Sequence, residues 1–170
     1  MLELLAPAGN LDAVIAAVQN GADAVYMGFG DGFNARRSAD NFTRESFAKE
    51  VRYCHIRGCK VYVTLNTLVG DREMESAAAL AQQASDAGAD AILVQDLGLA
   101  RVLRNALPDI PLHASTQMSI HNLAGVEAAA EMGITRAVLS RELSLEQIRF
   151  ISQHASIETE VFVHGALCFC

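Results

Sequence analysis

The chain has 170 residues, 51% of them apolar, a formal charge of −7 and no tryptophan. That is ample for one buried core. The acidic balance shows no basic stripe of the kind a non-specific nucleic-acid module carries, so any RNA contact needs a local patch.

Leu2-Glu-Leu-Leu5 predicts a first strand closed by Ala6-Pro-Ala-Gly9, and Asn10 caps a helix whose stripe is Val14, Ile15 and Val18. Gly21-Ala-Asp-Ala then leads into Val25-Tyr-Met27, and the same phrase returns as Gly88-Ala-Asp-Ala before Ile92-Leu-Val94. Gly58 before Val61-Tyr-Val63 and Gly133 before Ala137-Val-Leu139 are weaker echoes. Each glycine suits a left-handed helix end, and each apolar run suits a strand buried on both faces. The pattern predicts strands near 2–5, 23–28, 61–66, 90–95, 111–117, 135–140 and 158–163. Helices fall near 10–20, 43–57, 71–87, 96–107, 122–132 and 144–154, the last opened by a Ser144–Gln147 capping box.

Strands alternating with helices imply right-handed units and a parallel sheet. The spacing predicts an α/β fold of the TIM-type (β/α)8 barrel, truncated after about seven strands, since a complete barrel takes ~250 residues. A doubly wound open sheet is the alternative, weakened because no Gly-x-Gly-x-x-Gly follows the first strand. Met1 leads straight into a strand-like run, so no signal peptide is expected. No apolar run reaches the ~20 residues of a membrane span, and the expected location is the cytoplasm.

Barrel chemistry sits at the carboxyl ends of the strands. That rim is expected to collect Asn66, Gln95, His113, Gln117, Arg141, Glu142, Glu160, His164 and Cys168, with Asn34 and Arg36 from the long loop after the second strand. Amides, hydroxyls and an ion pair suit a small polar ligand. The polar run His113–Gln117 could equally satisfy neighbouring backbone groups, and Arg141–Glu142 could clamp a substrate or close the rim. Glu160 lies inside a strand and needs a cationic partner, for which Arg141 is the candidate. Cys54 and Cys59 fall at the opposite end and read as small buried residues, whereas Cys168 and Cys170 fall on the active side.

The closing stretch Glu160-Val-Phe-Val-His-Gly-Ala-Leu-Cys168 resembles the signature of peptidase family U32. Leu4–Gly9, Asn20–Tyr26, Phe33–Arg36 with Asn41-Phe42, Val61–Asn66, Ser115–Gln117 with Asn122, and Arg141–Ser144 resemble further blocks of that family. The resemblance implies one incomplete barrel domain over residues 1–170, lacking a cysteine-rich continuation. It implies two activities. Some members are described as peptidases or collagenases; others are oxygen-independent hydroxylation factors acting on transfer RNA, ribosomal RNA or the ubiquinone ring, the transfer-RNA members with prephenate as oxygen donor. Several hold an iron–sulfur (4Fe-4S) cluster through four cysteines, the first in the position of Cys168, and Cys170 is not one of the four.

The favoured expectation is therefore an RNA-hydroxylating enzyme in the complete protein, with Cys168 as the first cluster ligand and no cluster in this chain alone. The alternative is a hydrolase using Cys168 as nucleophile and His164 as base, or a metal held by His164 and Glu160. An inactive barrel fragment is the third. Asn34, Arg36, Asn66, His113, Gln117, Arg141 and Glu142 are the expected substrate contacts, with RNA or a small molecule as substrate. Open barrel edges suggest a homodimer.

Overall fold

The computed structural model describes residues 2–30, 32–35 and 42–165; Arg36, Cys168 and Cys170 lie outside the described residues. Its strands are β1 (Leu5–Pro7), β2 (Ala24–Gly28), β3 (Lys60–Leu65), β4 (Ala91–Val94), β5 (Leu112–Ala114), β6 (Arg136–Val138) and β7 (Glu158–Glu160). The helices between them are α1 (Leu11–Gln19), α2 (Arg44–His55), α3 (Met74–Asp86), α4 (Leu97–Ala106), α5 (Leu123–Glu131) and α6 (Leu145–His154). All neighbouring strands are parallel, and their order in the sheet is their order in the chain. The doubly wound alternative requires a reversal of strand order, and there is none.

Side-chain alternation divides the sheet into two faces. Val61, Val63, Ile92 and Val94 point outward and are fully buried beneath helix residues such as Phe47, Val51, Leu99 and Leu103. Ala24, Tyr62, Ala91 and Leu93 point inward and form a separate, smaller cluster inside the curl. Burying each Val or Leu contributes roughly 1.5–3 kcal/mol, so the outer layer carries most of the stability. The inner face is left free for polar groups.

The helix starts are fixed by side-chain caps. Asn10 Oδ1 accepts from the Ala13 amide at 2.9 Å, Asp96 Oδ1 from Leu99 at 2.8 Å and Asn122 Oδ1 from Gly125 at 2.8 Å. Ser144 and Gln147 form the expected reciprocal box. Because each helix follows a strand, these caps line the carboxyl-terminal rim.

Two strand boundaries differ from the sequence pattern. The first strand is Leu5–Pro7 rather than residues 2–5, with Leu2 97% exposed. An edge strand needs ladder bonds on one side only, which is why Pro7 is accommodated there. The fifth strand stops at Ala114, because Ser115 Oγ accepts from the Gln117 amide and turns Thr116–Met118 into a 3-10 helix. Among the described residues, β1 pairs only with β2 and β7 only with β6.

Candidate active site

The rim and the interior of the curled sheet are chemically distinct. At the rim, Asn66 follows β3 and bonds in two directions. Its Oδ1 accepts from the Ala35 amide at 3.1 Å, and its Nδ2 donates to Ser115 Oγ at 3.3 Å. Gln95, after β4, donates through Nε2 to the Gln117 carbonyl at 3.3 Å. A chain of amides and one hydroxyl therefore runs across the ends of β3, β4 and β5, and ties the loop that carries the buried Asn34 to the sheet. Gln117 Oε1 is buried with no hydrogen-bond partner, so one acceptor at this rim is left uncommitted.

On the β6–β7 side, the Arg141 guanidinium lies 4.1 Å from the centroid of the Phe162 ring. Glu142 accepts a short hydrogen bond from the Ser140 hydroxyl, which holds its carboxyl below the usual carboxylate range. His164 is exposed. The structure thus joins Asn66 with Ser115, and Gln117 with Gln95, and sets Arg141 against an aromatic ring.

Below the rim lies a charged floor. Arg136, at the start of β6, is buried and contacts three carboxylates: Glu3 at 2.6 Å, Glu158 at 2.6 Å and Glu160 at 3.5 Å. Glu3 also accepts from the Tyr62 hydroxyl at 2.8 Å and from Lys60 Nζ at 3.1 Å. Burial pushes the Glu3 carboxyl up, but the bonds from Arg136, Tyr62 and Lys60 outweigh it and hold its pKa at about 2. Burial works against the charge of Arg136, yet Glu3 and Glu158 make it hold its proton more firmly than usual. Burial, together with donation to Glu3, pushes the Tyr62 hydroxyl well up.

Two expected rim residues belong to this floor. Glu160 pairs with Arg136, not with Arg141. Residues two apart on β7 face the same way, so Glu158 and Glu160 both turn inward to the arginine. Burial raises the Glu160 carboxyl, with Arg136 opposing the rise. His113 is 4% exposed, and its ring meets Tyr62 edge-on at 4.9 Å between centroids. Burial, then the positive field of Arg136, drop its pKa to about 3, and its Nδ1 has no hydrogen-bond partner. The Glu160 carboxyl of raised pKa is the group here suited to carrying a proton, whereas His113, its basicity suppressed, stays a neutral ring.

Arg136, Glu3 and Tyr62 were not singled out by the sequence. The available signal was a single arginine opening an otherwise apolar strand, Arg136-Ala-Val-Leu139.

The described residues do not fit a cluster with four thiolate ligands. The described cysteines, Cys54 and Cys59, are buried outside the inner face, and burial pushes the Cys54 thiol up to about 12 and raises Cys59 as well. No group of three or more His, Cys, Asp or Glu able to hold a metal occurs among the described residues. No helix among them is long and apolar enough to cross a membrane.

Residues 9–170 match the family model described as Peptidase family U32, and the chain belongs to that family. It is 44% identical over 98% of its length to the 23S rRNA 5-hydroxycytidine C2501 synthase of Escherichia coli, covering 25% of that protein. It is 40% identical to tRNA hydroxylation protein P1 of Bacillus subtilis, covering 98% of this chain and 39% of that protein. A protein named collagenase from Porphyromonas gingivalis is 33% identical, with 98% and 42% covered. The chain thus spans well under half of each of these relatives. Among solved structures, a U32 peptidase superposes with a TM-score of 0.77 at 18% identity, over 95% of this chain and 68% of that one. A 2,3-dimethylmalate lyase superposes at 0.66 with 21% identity, covering 98% and 70%. These likenesses establish the barrel-type fold.

Proposed function

We propose that this chain is the barrel portion of an RNA-hydroxylating protein, with a pyrimidine base of ribosomal or transfer RNA as substrate. The observation that carries the reading is the identity of 44% and 40% to relatives named for RNA hydroxylation, maintained over 98% of the chain and so including every strand that builds the rim. The chemistry of the rim agrees with it. Amide groups at Asn66, Gln95 and Gln117 suit the donor and acceptor edge of a base presented from a single-stranded segment.

In this reading Asn66 and Gln117 orient the base, and Asn34 holds the loop over it. Glu160 holds or accepts a proton beneath the mouth, and the neutral His113 packs against Tyr62 as an uncharged ring. A 4Fe-4S cluster in the complete protein would place Cys168 as one thiolate and draw the others from outside the described residues. The hydrolase alternative receives less support, because the relative named collagenase is less similar, at 33% identity.

The test is nucleoside analysis of total transfer and ribosomal RNA from the source organism, with and without the encoding gene. Loss of one nucleoside carrying an extra oxygen is expected, restored by the intact gene and not by a Gln117→Ala copy. An unchanged nucleoside profile would overturn the reading.

A further inference from the structure

Phe162 lies two residues past β7, beyond the two glutamates that face Arg136. Glu158 and Glu160 both reach Arg136, at 2.6 and 3.5 Å. Phe162 follows on the chain two residues after Glu160. Its ring retains 37% of its surface, and the Arg141 guanidinium faces it at 4.1 Å. With Arg141 over the ring, the surface that Phe162 keeps exposed is an aromatic one beside a cation, the chemistry that holds a planar ligand.

We propose that Phe162, faced by Arg141, is the stacking platform for one nucleobase of a single-stranded RNA segment; this rests on the RNA reading above. Every base has a π-face, so an aromatic ring captures a splayed base regardless of its hydrogen-bonding edge. The guanidinium adds a plane that stacks and a fixed positive charge for the adjoining phosphate. That charge matters on a chain of net −7, where the overall field repels RNA and attraction has to be local. Two strands along the same rim, Gln117 Oε1 is a buried acceptor without a partner.

The chain contains no tryptophan, so Phe162→Trp installs the sole indole of the protein as a reporter. The full chain is titrated with a cytidine hexaribonucleotide, and separately with inorganic phosphate. Saturable quenching of the indole by the hexamer and none by phosphate is expected. With a fluorescein-labelled hexamer, Phe162→Leu should weaken binding about 5- to 100-fold by removing the stacking face while retaining apolar bulk. Arg141→Lys, which keeps charge and loses the plane, should weaken it less. Thermal unfolding of Phe162→Leu should match the parent, which separates lost stacking from lost fold. Hexamer binding unchanged in Phe162→Leu, with no indole quenching, would overturn the platform and leave the RNA reading standing. No hexamer binding by the parent chain would also overturn the platform, while the nucleoside analysis decides the RNA reading independently.

Discussion

Arg136 Nη1 and Glu3 Oε1 meet at 2.6 Å although 133 residues separate them in the chain. Glu3 lies two residues before β1, and the same guanidinium is bonded to Glu158 of β7. One buried side chain therefore links the two edges of a sheet whose edge strands do not pair with each other.

Removing that cation should be severe. Arg136→Leu strands the largely buried Glu3 and Glu160 without their shared partner, while Glu158 keeps its contact with water, and losing one member of a buried charge network costs about 3–5 kcal/mol. Urea denaturation at pH 7 is the measurement. Arg136→Lys should recover only part of the loss, because one ammonium cannot reproduce the forked contacts. The defect should shrink as pH falls, since protonated carboxyls no longer need the arginine. A change below about 1 kcal/mol would show that water screens the floor.

Acid should destabilise the fold through His113 before it acts through Glu3. The folded-state pKa of His113 is lowered to about 3 from an ordinary 6.5, so its contribution is complete above 6.5 and is lost as pH falls toward 3. By linkage this amounts to roughly 2 kcal/mol between pH 7.5 and 5. Glu3, lowered to about 2, adds a second loss that begins only below 4.5. Glu160 has the opposite sign: its raised pKa favours the fold in acid, and that share fades as pH rises through its folded value. His113→Phe should flatten the slope of unfolding free energy between pH 7 and 5. An unaltered slope would contradict the burial of the neutral ring.

Cys54 and Cys59 should be chemically silent. Both are buried, and burial raises both thiols. In a Cys168→Ala/Cys170→Ala chain, a disulfide-exchange reagent at pH 8 should react with no thiol quickly until denaturant is added. In the complete protein, Cys54→Ala and Cys59→Ala should leave iron content unchanged and Cys168→Ala should remove it. Iron retained in Cys168→Ala would refute the assignment of a cluster ligand there.

The two sheet edges should make the chain associate. Backbone groups of β1 and β7 that face away from β2 and β6 have no strand partner among the described residues, and such edges recruit further strands. Sedimentation equilibrium should show mass increasing with concentration. A monomer throughout would mean that the edges are shielded.

Much of the architecture was legible because its signals are local. Gly21 and Gly88 both adopt the positive φ that ends a helix (87° and 96°), and each precedes a buried strand as the repeated phrase predicts. The Ser144–Gln147 box needs only four consecutive residues. The charged floor was illegible for the converse reason. Lys60 and Arg136 each open a strand and Glu3 lies two residues before one, where charge reads as a solvated turn, and their meeting depends on how far the sheet curls. Glu160 visibly needed a cation, but Arg141, nearer in the chain, looked closer than Arg136. His113 looked like a rim residue because it opens the polar run that ends at Gln117, and only the curl of the sheet brings its ring against Tyr62.

The sequential strand order also shapes how the molecule is made. Each new strand docks on the one just completed, so contacts remain mostly between neighbours in the chain and assembly can keep pace with synthesis. The Arg136–Glu3 bond is the exception. Glu3 emerges from the ribosome first and stays without its guanidinium until the sixth strand arrives, held meanwhile only by Lys60 and Tyr62. A nascent chain stalled before residue 136 would carry a solvated, incompletely neutralised interior. Completion of the sixth strand is the moment at which Glu3 gains its guanidinium.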